Sequence, residues 1–142
     1  NIKLIFFSTN YVYPGKIGNY HEKDPILPWN NYGWSKVGAE SAVQMYKNSL
    51  IVRACMTEKP FIHKYAYANV KSNFIFHNEI AKLFVKIINK KGVINIGGNA
   101  QTIYNFAKKY NKKVKKKYSK GEFQKKMDMN MKKLRKYVNE NI

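Results

Sequence analysis

Cysteine is almost missing from this 142-residue chain. Cys55 stands alone, which excludes a disulfide framework within the chain and fits a reducing cytoplasm. Long apolar runs are missing too: Leu4 to Phe7 and Leu83 to Ile88 are among the longest, far short of the about 20 residues that span a bilayer. No segment has the layout of a signal peptide, so neither a membrane nor secretion is expected. His21, His63 and His77 are scattered, without Cys or carboxylate partners at metal-ligand spacing, and no metal site is expected. Arginine is scarce. Of 27 basic residues only Arg53 and Arg135 are Arg, against eight acidic residues and a net charge of +19. Such a charge suits nucleic acid, and fourteen basic residues between Lys108 and Lys136 face only Glu122 and Asp128. Arg, however, is the side chain that forks onto phosphate and guanine. A composition rich in Lys, Asn and Ile is that of AT-rich coding sequence, so the run reads as solvated surface with no specific nucleic-acid partner. Finally, no Gly-rich phosphate loop lies between a strand and a helix. Gly97-Gly98 is the only glycine pair and lacks a third glycine, whereas dinucleotide-binding folds carry that loop in their first βα unit.

What is present fits one α/β domain able to bury a core. Ile2 to Phe7 is a continuous apolar run, expected to be a strand buried on both faces, with Ser8 and Thr9 at its carboxyl end. Ligands of open α/β sheets bind at such ends. Residues 14–31 hold Pro14, Gly15, Gly18, Pro25 and Pro28 and read as a loop. A helix is expected from about Asn31 to Asn48, a strand over Ser49–Arg53, and a loop to Pro60. Residues 61–73 are aromatic and read as irregular, leading to a strand at Phe74–Phe76. Asn78 reads as the cap of a helix over Glu79–Asn89 that Gly92 stops. A strand at Val93–Ile96 follows, then a helix from the Thr102 cap to Tyr110, a strand near Val114–Tyr118, and a helix over Asn130–Asn139. Met127, Met131, Leu134 and Val138 recur at helical spacing and read as core.

The chemistry centres on Tyr32 and Lys36. Residues four apart share a helix face, and a cation beside a phenol lowers a pKa that is otherwise about 10. The phenol can then deliver a proton to a carbonyl oxygen. Spacing alone is weak evidence, because with 11 Tyr and 25 Lys (27 less two Arg) chance supplies roughly two Tyr-x-x-x-Lys pairs. Three occur: Tyr32/Lys36, Tyr67/Lys71 and Tyr104/Lys108. Context favours the first, since it alone follows a strand ending in hydroxyls.

The run Ser8-Thr9-Asn10-Tyr11-Val12, then Glu22-Lys23-Asp24-Pro25, then Pro28-Trp29-Asn30-Asn31-Tyr32-Gly33-Trp34-Ser35-Lys36 with Glu40, resembles the extended short-chain dehydrogenases/reductases. It is especially similar to the dTDP-4-dehydrorhamnose reductase branch of nucleotide-sugar 4-ketoreductases, which usually has Asp at position 10 and Gly at position 39. The similarity is specific over residues 2–57 and diffuse beyond. It implies the C-terminal half of a doubly wound, Rossmann-type parallel sheet plus a small substrate-binding region. Residues 1–57 would be the second half of the NAD(P)-binding domain with its Tyr-Lys helix, and 58–142 the substrate-binding region with a late Rossmann strand. On this resemblance Thr9, Tyr32 and Lys36 are catalytic, and Tyr32 and Lys36 also meet an NADPH or NADH cofactor. Asn10, Tyr11 and Lys71 meet a nucleotide-sugar substrate, with Lys71 where the family often places an Arg for the diphosphate. The implied reaction is reduction of a 4-keto-6-deoxy nucleotide sugar by a longer enzyme, homodimeric through the Tyr-Lys helix, of which this chain is an inactive C-terminal part. Epimerase or dehydratase chemistry shares the triad, although dehydratases usually carry acidic residues where Asn10-Tyr11 stands. A non-catalytic binding or regulatory relative is the remaining alternative.

Overall fold

The computed structural model describes residues 2–139; both ends of the two parts expected above, residue 1 and residues 140–142, lie outside them. Strand β1 (Leu4–Thr9) runs into a short 3-10 turn at Asn10–Val12, and a long loop leads to helix α1 (Asn31–Gln44). Strand β2 (Ser49–Ala54) follows, then four short strands: β3 (Met56–Thr57), β4 (Tyr65–Tyr67), β5 (Lys71–Ser72) and β6 (Ile75–Phe76). Helix α2 (His77–Ile87), strand β7 (Gly92–Ile96), strand β8 (Gln101–Thr102), helix α3 (Ile103–Tyr110), strand β9 (Lys115–Lys117) and helix α4 (Lys132–Asn139) complete the order.

The main sheet is parallel, in the order β1-β2-β7. Successive strand residues point to opposite faces. Phe6 meets Lys36 of α1, whereas Phe7 packs on Phe84 of α2 at 5.1 Å, so the two helices cover opposite faces. That is a doubly wound arrangement. Apolar side chains of β2, β7, α2 and α4 form the main core, among them Leu50, Val52, Ile94, Ile80, Ile87 and Leu134. A second cluster gathers Phe61, Phe76, Phe106, Ala107 and Val114. Between α1 and β2 the side chains of Glu40 and Arg53 are almost fully buried and pair at 2.7 Å. Arg53 also donates to the Tyr13 hydroxyl at 2.9 Å and the Glu22 carbonyl at 3.2 Å. A buried charge left alone is costly, so this pair pins α1 to the central strand.

Several expected elements are placed differently. Strand β1 begins at Leu4 and is not buried on both faces: Leu4 is 40 % and Phe7 37 % exposed, because β1 pairs only with β2 among the described residues. The strand buried throughout is β2. Helix α1 ends at Gln44, since the Asn48 carbonyl accepts the Leu4 N–H at 3.1 Å and the chain must already have turned toward β2. Helix α2 starts two residues early, at His77. The extended Phe76 gives its N–H to the Glu79 carboxylate at 3.1 Å, so Asn78 lies inside the helix. It ends at Ile87, and Gly92, at φ +79°, opens β7. Helix α4 starts at Lys132 because Asn130 is held against Tyr20 by a backbone hydrogen bond of 2.8 Å. The stretch 61–73 is not irregular. It holds β4, paired in parallel with β9, and β5, paired antiparallel with β8, each too short to leave a periodic signal. Among the described residues no helix is long and apolar enough to cross a membrane.

Candidate active site

At the carboxyl end of β1, Thr9 is buried and its hydroxyl accepts the Tyr11 N–H at 3.2 Å, capping the 3-10 turn. Thr9 Oγ1 lies 3.4 Å from Asn10 Oδ1, its acceptor. Asn10 in turn donates its amide to Ser72 Oγ and the Met127 carbonyl, both at 3.3 Å. Asn10 is thus a strut between the strand end and the segment before α4. Opposite, α1 opens on Asn30, whose side-chain oxygen accepts the Gly33 N–H at 2.7 Å. Gly33 is required there. A Cβ at this position would meet the Tyr11 carbonyl at 2.6 Å and Pro28 at 2.8 Å, so a larger residue would push the first turn of α1 off the strand end. Tyr32 is thereby brought beside Tyr11, with ring centroids 5.8 Å apart and edge-on.

Thr9, Asn10, Tyr11 and Tyr32 line one cavity of about 280 Å³, together with Cys55 and His77. Lys36 does not line it. Its ammonium donates to the Phe7 carbonyl at 3.1 Å and sits 5.7 Å from the Tyr32 ring centroid, behind the phenol and against β1. Burial pushes the Tyr11 phenol up to about 12, with Cys55, Tyr32 and Tyr67 adding to the rise. Burial likewise pushes the Cys55 thiol up to about 11. Both the phenol and the thiol stay neutral at physiological pH. Ser8 Oγ is buried with no hydrogen-bond partner.

Lys71 is elsewhere. It lines neither this cavity nor the larger one, and its ammonium pairs with Asp128 at 3.3 Å. The other Tyr-x-x-x-Lys pairs do not form comparable sites. Tyr67 and Lys71 fall on different strands. Tyr104 packs against the second cluster, and Lys108 donates to the Lys112 carbonyl at 2.7 Å. A second cavity of about 540 Å³ shares Tyr11, Met56 and Phe74 with the first and continues along Tyr65, Tyr67 and Phe123. The family resemblance implies a substrate pocket in this part of the chain, and the aromatic content of residues 61–73 is its local signal.

A parallel sheet wound on both faces, with a strand-end hydroxyl and a capped Tyr-Lys helix at its carboxyl edge, is the framework of the extended short-chain dehydrogenases/reductases. Within that class, residues 1–75 match the family model of the RmlD substrate binding domain, and the chain belongs to that family. No curated protein sequence matches it. Solved structures share its fold. A hypothetical dTDP-4-dehydrorhamnose reductase from Sulfolobus tokodaii superposes with a TM-score of 0.79 at 23 % identity, over 94 % of this chain and 57 % of that one. The dTDP-4-dehydrorhamnose reductase of Bacillus anthracis, solved with NADP, gives 0.79 at 21 % identity over 96 % and 58 %. A UDP-N-acetylglucosamine 4-epimerase from Methanobrevibacter ruminantium, in complex with UDP-N-acetylmuramic acid, gives 0.75 at 19 % over 95 % and 56 %. This chain therefore spans a little over half the length of the structures it matches.

Proposed function

We propose that this chain forms the proton-donating and substrate-binding part of an NAD(P)H-dependent enzyme that reduces the 4-keto group of a 4-keto-6-deoxy nucleotide sugar. The observation that carries this reading is the shared cavity of Thr9 and Tyr32, which continues past Tyr11 into the aromatic cavity. The small end fits a pyranose ring and the long end a nucleoside diphosphate. When bound, the nicotinamide supplies a hydride to the carbonyl carbon. Tyr32 delivers the proton to the oxygen, with the Lys36 ammonium 5.7 Å from its ring centroid. Thr9 releases its weak 3.4 Å bond to Asn10 and donates to the substrate carbonyl instead. Lys36 lies along the open side of β1 and would also hold the nicotinamide ribose. In this reading residues 1–57 belong to the cofactor-binding part, and residues 58–142 form the substrate-binding region and contain the late strand β7.

The test is to join the chain behind the first half of the Bacillus anthracis reductase, whose structure holds NADP, and to follow NADPH oxidation with a dTDP-4-keto-6-deoxy sugar. Oxidation that requires the sugar is expected. A chimera that folds and binds NADPH but leaves the ketone untouched would remove the reductase reading. Interconversion of 4-epimers by the same chimera with NAD, and no net reduction, would put epimerase chemistry in its place.

A further inference from the structure

We propose that Lys117, and not Lys71, is the cation that receives the diphosphate of the nucleotide sugar, on the wall formed by β4 and β9. The inference rests on the nucleotide-sugar reading above and names the group that would hold the substrate's charge.

Lys71 is already committed. Its partner Asp128 has a side chain only 5 % exposed, and the same carboxylate oxygen accepts the Asn19 N–H at 3.1 Å. Withdrawing the ammonium would strand a nearly buried charge, which is strongly unfavourable. The backbone of Lys71 is fixed as well, by bonds to the Lys125 carbonyl at 2.8 Å and from the Met127 N–H at 2.9 Å.

Lys117 is placed and free to exchange. It lines the larger cavity, which Lys71 does not, and its side chain is half-exposed, as that of Lys71 also is. Directly opposite Tyr67 in the parallel β4–β9 pair, it holds its ammonium 5.0 Å from that ring's centroid. A chain of rings joins this point to the proton donor: Tyr32 to Tyr11 at 5.8 Å, Tyr11 to Phe123 at 6.3 Å, and Phe123 to Tyr67 at 5.0 Å. Tyr65, Phe61 and His63 lie on the same cavity wall, and Phe61 stacks edge-on with His63. The cavity that opens from the acid thus holds both a cation and an aromatic wall, the two features that a diphosphate and a nucleoside require. Lys64 is a second cation on this wall.

Glu122 completes the arrangement. Its carboxylate accepts the Tyr67 hydroxyl at 3.1 Å and the Lys120 N–H at 2.7 Å, and approaches Lys117 at 3.9 Å. Hydrogen bonding with Tyr67, helped by the Glu122 charge, pushes the Lys117 pKa up, so the ammonium is charged at neutral pH. An exposed ion pair of that length contributes little. A phosphate, with more charge and shorter bonds to offer, can displace it.

The experiment titrates the 142-residue chain with dTDP, UDP and thymidine by calorimetry, in the parent and in Lys117→Met, Lys117→Arg, Glu122→Gln and Lys71→Met. Lys117→Met should weaken dTDP and UDP by roughly tenfold, the effect of one charged hydrogen bond, and leave thymidine unchanged. Lys117→Arg should restore most of the loss, and Glu122→Gln should tighten the diphosphates. Lys71→Met should lower the melting temperature and keep diphosphate affinity within about twofold. Parent-like affinity in Lys117→Met, or a tenfold loss in a folded Lys71→Met, overturns the assignment while nucleotide binding itself stands. A parent chain that binds none of the three ligands at millimolar concentration overturns the nucleotide-sugar reading and this inference with it.

Discussion

Helices α1 and α3 open alike. Each is capped by a side-chain oxygen, from Asn30 in one and Thr102 in the other, and each carries Tyr as its second residue and Lys as its sixth. Their surroundings differ. Helix α1 starts where β1 ends, so Tyr32 faces Thr9 across a cavity and Lys36 reaches back to the Phe7 carbonyl. Helix α3 follows the two-residue strand β8, and its Tyr104 packs among the second cluster with Lys116 5.2 Å from the ring. Lys108 turns to a carbonyl just past its own helix. Both preceding strands end in a threonine, so under the proposed function the spacing motif acquires chemistry where that hydroxyl and the tyrosine line one cavity with room for a substrate.

The largest test of that contrast is Tyr32→Phe in the chimera. The change removes only a hydroxyl from a half-exposed ring, so folding should persist while proton delivery fails. A general acid typically contributes about 10² to 10⁴-fold in rate, and kcat for ketone reduction should fall within that range. Parent-like turnover would dismiss α1 as the catalytic helix. Next in size is the anchor that α1 has and α3 does not show among the described residues. Arg53→Met leaves Glu40, fully buried, without its partner, and removing one member of a buried pair costs about 3–5 kcal/mol. Urea unfolding of the chain should show a loss of that order. Under about 1 kcal/mol would mean that the pair contributes no more than a surface contact.

Much of this contrast was legible in sequence because its determinants are local. The hydroxyls follow the apolar run of β1 directly, Gly33 sits inside the motif it permits, and the Thr102 cap adjoins its helix. The continuous apolar runs likewise announced parallel strands, although not that β1 would have one open edge. What stayed hidden depends on residues far apart in the chain. Tyr67 pairs with Lys117 across fifty residues through strands of three, too short for any period to register. Lys71 looked available because Asp128, its partner, lies 57 positions later (128 less 71). Asn10 could not be seen as a strut to Ser72 and Met127 until the segment before α4 was threaded beside β5.

The smallest expected effect makes the comparison exact in kind, because it repeats the Tyr32 substitution at the matching position of the other helix. Tyr104→Phe keeps the ring that fills the second cluster and keeps a face for Lys116, an exposed cation–π contact that contributes about 0.5–1 kcal/mol. Only the hydroxyl is lost, and no hydrogen bond of that hydroxyl enters the site described above. Stability should change by less than about 0.5 kcal/mol, as for most surface substitutions, and kcat and KM of the chimera should match the parent. The two variants then differ in nothing but which helix lost its phenol. Equal damage from both would mean that phenols support the chimera through general packing, and that the meeting of Thr9 with Tyr32 carries no special chemistry. Damage from Tyr104→Phe alone would move the active site to α3, where the hydroxyl at the end of β8, Thr102, accepts the Asn105 N–H at 3.1 Å as the helix cap and Tyr104 lines neither of the two cavities described above.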